Sequence, residues 1–431
     1  MIFIKNIFMQ QKYLFIFFLL LISNYLHAQD KPLLTLDQCY NLTSTNSPLA
    51  QQKTLNVTAG NMAEKNQNLK WLPQVDLNAQ ATYQSAVTSF PVKLPGFNVD
   101  ELSKDQYKGT LEIIQPVYDG GLIAGQKKLQ HISTNIESQK VEVDLYQLKS
   151  KVNSYFFTAL LMEENIQLMK IVQEDLNNNI KKISVQAENG VATNSNVDVL
   201  KAEQLKASQK IIEFTSVKKE AIQMLEILTG TAIAENSSFI KPVSSDVAAD
   251  VVVTRPELKL FDFQKQQIQQ QGRLINVRSN PKFSVFANGG YGKPGLNQLK
   301  NEFQWFYIGG VKLNIPIMSH FTQQREKNVL KIQEQIVDKQ KEIFLLNNRQ
   351  LLVQQKNEVD KYQQLVATDA EIVVLRTKIK ENASFKLANG IITSSDYVTE
   401  LNAENQAMLN QKLHEIQWLQ AQYNYKLITG K

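Results

Sequence analysis

The sequence is poor in the residues that build most reactive sites. One cysteine, Cys39, among 431 residues excludes an internal disulfide, and four histidines leave little material for a metal centre. Glycine (17) and proline (11) are both sparse, and 43% of residues are hydrophobic against 20% charged, which excludes collagen-like and disordered chains. A mean hydropathy of −0.28 excludes a polytopic helical membrane protein. Lysine and arginine exceed the acids by 47 to 41, a net charge of +6, but no basic run is longer than a pair such as Lys127-Lys128. A pI near 9.0 is then a weak reason to invoke nucleic acid, and no nucleic-acid partner is expected. HExxH, GxSxG and phosphate-loop patterns are all missing, so neither enzymatic activity nor a cofactor is expected. Gly290-x-Gly292-x-x-Gly295 meets the dinucleotide pattern only formally, because Pro294 and the lack of a following helix make it a loop at a strand end. His131, His320 and His414 stand alone in or beside helical stretches and read as surface or packing positions.

One apolar run stands out. Tyr13 to Ile22 (YLFIFFLLLI) follows Lys5 and Lys12 and precedes SNYLHA. This is the layout of a secretory signal, assigned to residues 1–28 with cleavage after Ala28, and its apolar core is too short to span a bilayer. Its removal leaves a net charge of +4. Cys39 lies too far beyond the run to be an acylation site and reads as a small buried side chain. No other stretch approaches the roughly 18 apolar residues of a spanning helix, so the mature chain is expected to be exported without one.

The remainder is a duplication. Residues 185–230 and 385–430 match without a gap at an offset of 200, pairing Asn189-Gly190 with Asn389-Gly390 and Thr229-Gly230 with Thr429-Gly430. Tyr107, Gly109 and Pro116 pair likewise with Tyr307, Gly309 and Pro316, while upstream the offset is 208, as for Pro73 with Pro281. The difference falls in the first copy around SFPVKLPGFNVDEL, a loop-like stretch. The expected organisation is a first repeat over 29–230, a linker over 231–254 and a second repeat over 255–431.

Each repeat has the same grammar. Thr35-Leu36-Asp37-Gln38 fits a capping box, and the helix it opens is expected to reach about Lys70, before Pro73. Strict alternation follows: Val75, Leu77, Ala79, Ala81 and Tyr83 against Gln74, Asp76, Asn78, Gln80 and Thr82. Phe283, Val285, Ala287 and Tyr291, and then Trp305, Tyr307, Val311 and Leu313, repeat the pattern less cleanly. After Pro116 and Pro316 the period becomes 3.5. Leu145, Leu148, Val152, Tyr155, Ala159, Met162, Ile166 and Met169 form a coiled-coil seam, and Val329, Ile332 and Ile336 begin its counterpart. Free of proline, each helix is expected to run for roughly 70 residues, or about 100 Å, until Asn-Gly breaks it and a second helix returns.

A strand polar on one face and apolar on the other suits a wall with water inside and lipid outside. Aromatics near both ends support it: Trp71, Tyr118 and Phe321 toward the helices, Tyr83, Tyr107, Tyr291 and Trp305 toward the loops. The same strands would also serve an exported soluble coiled-coil scaffold or adaptor carrying small β-domains, which is the alternative. Four strands cannot close a barrel and open edges are not tolerated in lipid, whereas three chains supply twelve strands with room for a pore. A homotrimer is therefore expected.

With these elements in place the mature chain resembles the TolC-like outer-membrane efflux proteins. The marks are LTLDQCYNLTSTNSPLA near the start, RPEL at Arg255–Leu258, QPVYDGG at Gln115–Gly121, and the paired turns with Gly190 and Gly390. The resemblance implies a mainly α fold with β structure: a trimeric twelve-stranded outer-membrane β-barrel, four strands per chain, continuous with a long periplasmic α-helical coiled-coil tunnel. It implies an exit duct that serves a periplasmic adaptor protein and an inner-membrane transporter. It further implies adaptor contacts at the two turns, through Asn189, Gly190, Thr193, Asn389, Gly390, Thr393 and Ser395. An acidic residue six places after the turn glycine constricts the entrance in relatives, and here that place holds Asp396 in one copy and Asn196 in the other. A carboxylate there would equally suit the first turn of a helix.

Overall fold

A computed structural model describes residues 33–88, 102–244, 252–317 and 319–430. The signal peptide, most of the SFPVKLPGFNVDEL stretch, residues 245–251 of the linker and the side chain of His320 lie outside the described residues.

The chain begins with β1 (Leu33–Leu34), α1 (Leu36–Asn46) and α2 (Pro48–Leu69), followed by β2 (Gln74–Tyr83), β3 (Asp105–Tyr118), α3 (Leu122–Glu188) and α4 (Asn194–Thr229). It continues with β4 (Ser238–Phe239), α5 (Pro256–Arg278), β5 (Lys282–Lys293), β6 (Gln304–Asn314), α6 (Ser319–Ala388) and α7 (Ser394–Thr429). The two proline-free stretches form helices of 67 and 70 residues. The opening capping box is present, with the Gln38 N–H donating to Thr35 Oγ1 and the Thr35 N–H to Gln38 Oε1. The single helix expected from Thr35 to Lys70 is two. Ser47, at ψ 141°, leaves the α region immediately before Pro48, whose ring excludes a helical neighbour on its N-terminal side. None of the described helices is long and apolar enough to cross a membrane.

By contacts the described chain forms two compact units, and α3 and α6 contribute to both. The first gathers the described parts of 1–50, 144–255 and 347–431. Here β1 pairs with β4 in parallel, an element inside the linker that no periodicity announced. One core cluster joins Leu36 and Cys39 of α1, Val152, Phe156 and Leu160 of α3, Ile222 and Leu225 of α4, Phe239 of β4 and Leu419 of α7. The buried face of α3 is wider than the 3.5-period seam, because Phe156, Phe157 and Leu160 serve further neighbours. Burial pushes the Cys39 thiol up to about 12, consistent with a packing role. A second cluster near the two Asn-Gly turns joins Leu176 and Ile183 of α3, Val197 and Leu200 of α4, Leu387 of α6, and Tyr397 and Leu401 of α7.

The second unit comprises the described parts of 51–143 and 256–346. Its centre is a four-stranded antiparallel sheet in the order β2-β3-β5-β6. Its helices meet through close approach and charge. A Cβ on Gly60 of α2 would fall 2.1 Å from Thr134 Oγ1 of α3, and Arg278 of α5 clasps Glu326 of α6 at 2.7 Å. At the junction between β3 and α3, Asp119 accepts from the N–H groups of Gly121 and Ile123. Gly120 and Gly121 take φ of +72° and +91°, which explains the paired glycines of QPVYDGG.

Candidate functional site

Two places concentrate the residues singled out from sequence: the sheet in the second unit and the helical turns in the first.

In the sheet the strand registers bring the alternating side chains into two continuous faces. Val75 lies opposite Ile113, Leu77 opposite Leu111, Val285 opposite Val311 and Tyr291 opposite Trp305, so every strand contributes apolar side chains to one shared face. That face is bare: Leu77, Trp305 and Tyr307 are 81%, 82% and 86% exposed. Tyr83, Tyr107, Tyr291 and Trp305 cluster at the end of the sheet away from the helices. Phe303, which joins no strand, binds them by stacking on Tyr107 and Tyr291 with ring centroids 6.3 and 5.4 Å away. Tyr291 meets Trp305 at 4.9 Å. At the other end Trp71, Tyr118 and Phe321 are exposed, and the Trp71 carbonyl accepts from Gln115 Nε2 at 2.9 Å.

The opposite face carries Gln74, Asp76, Asn78 and Gln80 on β2, and Lys108, Thr110 and Glu112 on β3. On β5 and β6 it also holds Phe286, Phe306 and Ile308, which the sequence pattern left unexplained. The glycines across the register account for the two rings. Phe306 lies over Gly290, where a Cβ would come within 2.6 Å of its ring, and Phe286 lies over Gly310. The aromatic rings thus lie flat in places where facing side chains are missing.

The two turns are closely alike. Gly190 and Gly390 take φ of +72° and +71°, each followed by a backbone bond to the carbonyl five residues back, Val191 N–H to Gln186 O and Ile391 N–H to Lys386 O. This closes the helix end as a Schellman turn. Asn189 and Asn389 each donate Nδ2 to the carbonyl four residues back at 2.8 Å. The returning helices differ. Thr393 caps α7, with its Oγ1 accepting from the Asp396 N–H, while Asp396 Oδ2 accepts from the Thr393 N–H at 3.0 Å and its hydroxyl at 2.7 Å. These bonds, the hydroxyl's first, hold the exposed Asp396 carboxyl below its usual value. Thr193 makes no side-chain cap on α4. Asn196 instead accepts the Ser394 N–H at 3.4 Å, and Gln186 donates Nε2 to Ala388 O at 2.8 Å, so the two turns hold each other. Ser395 is exposed beside them.

Behind the turns lies a polar network that no local pattern in the sequence signals, because its members are scattered over α3, α6 and α7. Lys380 Nζ sits 3.3 Å from both Asp175 and Glu404. Tyr397 Oη donates to Asp175 at 3.2 Å and accepts from Asn179 Nδ2 at 3.0 Å. Burial works against the Lys380 charge, but the two carboxylates outweigh it and its pKa is raised. Burial, with Asp175 adding to it, raises the Tyr397 hydroxyl as well. Further along, His414 Nδ1 lies 2.6 Å from Asp369 Oδ2, so His414 is not a free surface residue.

Solved structures share this architecture almost end to end. The outer membrane protein VceC of Vibrio cholerae is similar with a TM-score of 0.64 at 12% identity, over 91% of this chain and 94% of its own. The CmeC outer membrane channel of Campylobacter jejuni is similar with a TM-score of 0.62 at 14% identity, over 92% and 85%. The open MtrE outer membrane channel of Neisseria gonorrhoeae gives 0.64 at 12%, over 91% and 88%. No family model and no curated protein sequence matches the chain. The protein thus has the fold of these outer-membrane channels, shared at a level where sequence has diverged almost completely.

Proposed function

We propose that this protein is a TolC-like exit duct in the outer membrane, passively conducting substrates from the periplasm or from a pump to the exterior. The observation that carries the reading is the sheet, which has one face apolar and bare, one face largely polar, and two edge strands, β2 and β6, with no further strand beside them among the described residues. In water such a sheet would aggregate; in lipid it needs the edges closed. Three copies close it as twelve strands, with the apolar face toward outer-membrane lipid and the polar face around water. The similarity to VceC, CmeC and MtrE, an outer-membrane protein and two outer-membrane channels, supports the same reading.

In this reading Trp71, Tyr118 and Phe321 mark one membrane interface, and Tyr83, Tyr107, Tyr291 and Trp305 the other. The turns with Asn189, Gly190, Thr193, Asn389, Gly390, Thr393 and Ser395 meet a periplasmic adaptor, which couples the duct to an inner-membrane transporter. Asp396 and Asn196 stand at the entrance. Both cap bonds of Asp396 fall on Oδ2, which leaves Oδ1 to act on passing cations.

The test is the mass of the protein extracted from outer membranes in mild detergent, by light scattering with detergent subtracted. A trimer that inserts into planar bilayers and conducts supports the duct. A monomer or dimer that stays in solution without detergent overturns it in favour of the scaffold. In the conducting trimer, Asp396→Asn is expected to lower cation preference, and unchanged selectivity would remove the constriction role.

A further inference from the structure

The edges of the sheet carry information about how they close. Counting outward from the helix end, β2 presents Gln74, Val75 and Asp76, and β6 presents Asn314, Leu313 and Lys312. β2 and β6 run in opposite directions in the sheet, so β6 of one copy meets β2 of the next as an antiparallel pair. Asp76 and Lys312 both lie on the polar face. Asp76 also sits directly opposite Glu112 on that face. Two like charges so placed destabilise a ladder. Neither acid, nor Lys312, has an ion-pair partner among the described residues of the chain.

We propose that the subunit seam is an antiparallel β6–β2 pairing in which Lys312 of one copy lies opposite Asp76 of the next, a register-setting ion pair on the polar face. The inference rests on the trimeric reading above and adds the register and the residues that choose it. The same register sets Val75 against Leu313, Leu77 against Val311 and Tyr83 against Trp305, so the apolar face continues unbroken across the seam. β2 and β6 overlap over the whole of Gln74–Tyr83.

The register also closes a barrel of ordinary tilt. The cross-sheet row beginning at Gln74 passes Ile114 and Phe286 and leaves the sheet at Gly310, four residues from Asn314, the residue that meets the next Gln74. Each copy therefore contributes a stagger of four residues over its four strands. One residue, about 3.4 Å, per strand spacing of about 4.8 Å is a tilt of about 35°, within the range of membrane barrels. The strand ends agree: both margins of the sheet drift in the same sense from β2 to β6 relative to that row.

Two experiments test it on the full-length protein in detergent. Asp76→Lys and Lys312→Asp are each expected to cut the heat-resistant trimer fraction at least fivefold, and the double reversal to restore it. Restoration distinguishes a paired contact from simple misfolding. Separately, Asp76→Cys is combined with Ile308→Cys, Lys312→Cys or Asn314→Cys and treated with a short bis-maleimide. Interchain dimers and trimers are expected to be strongest with Lys312→Cys, at least fivefold above Ile308→Cys. A maximum at either other position, or a double reversal no better than the singles, overturns the register while leaving the trimer standing. A wild-type protein that is monomeric by light scattering removes the duct reading itself.

Discussion

The core of the helical unit and the outer face of the sheet treat their apolar side chains in opposite ways. In the helical unit Phe156, Leu176, Leu200 and Leu225 are almost wholly inaccessible, and Tyr397, buried among them, donates its hydroxyl to Asp175. In the sheet the largest apolar residues point into open space on a face that has no covering layer among the described residues. The helical unit buries a core of its own, although Ile212, Ile227, Leu375 and Phe385 stay exposed on its surface. In the proposed duct the sheet is completed by lipid on one face and another strand at each edge, which is why it makes the stronger statement about function.

That contrast can be attacked from its strongest side first. Leu225→Ala removes a fully buried side chain from the helical core and is expected to cost roughly 3–5 kcal/mol, read as a lowered denaturation midpoint of the unit. A loss below about 1 kcal/mol would mean that this core does not sustain the unit. Next comes Leu77→Arg on the bare face, expected to cost about 2–3 kcal/mol of folding into lipid vesicles. Asn78→Arg, one residue on and facing the other way, should change it far less. Equal penalties for the two would erase the distinction between the faces.

Tyr397→Phe keeps the ring and deletes the hydroxyl shared by Asp175 and Asn179. It is expected to cost about 1–2 kcal/mol, seen as faster hydrogen exchange in α7 near the turn. Smallest is the difference between the two caps. Thr393→Ala should cost about 1 kcal/mol of local stability, and Thr193→Ala much less, because only the former makes side-chain cap bonds. The Thr393 cap also fixes a pH dependence. The Asp396 value is depressed in the folded chain, so its contribution is present above the ordinary carboxylate range, near pH 4, and is lost as pH falls through the depressed value. Asp396→Asn should abolish that acid-dependent loosening of the α7 start, measured by amide exchange between about pH 2 and 6.

Much of this could be read in advance because it is local. The capping box at Thr35 and Gln38, the Asn-Gly stops before α4 and α7, and the change of period after Pro116 each depend on a few neighbouring residues. The break at Ser47 was equally local but competed with an otherwise continuous helical pattern, and proline sterics won. Other features had no local trace. β3 meets β5 across more than 160 residues of chain, and Lys380 finds Asp175 across 205. Nothing in the spacing of Tyr397, Asn179 and Glu404 distinguishes them from ordinary exposed helix positions.

Backbone preference and side-chain period are properties of short segments, and so the sequence alone determined the four long strands, the long helices, the turn glycines and the two-faced character of the sheet. Which strands pair, which polar groups share a buried network and which apolar face stays bare depend on groups brought together from distant segments. Only the tertiary structure decided these, because burial and hydrogen bonding act through space with no regard for distance along the chain.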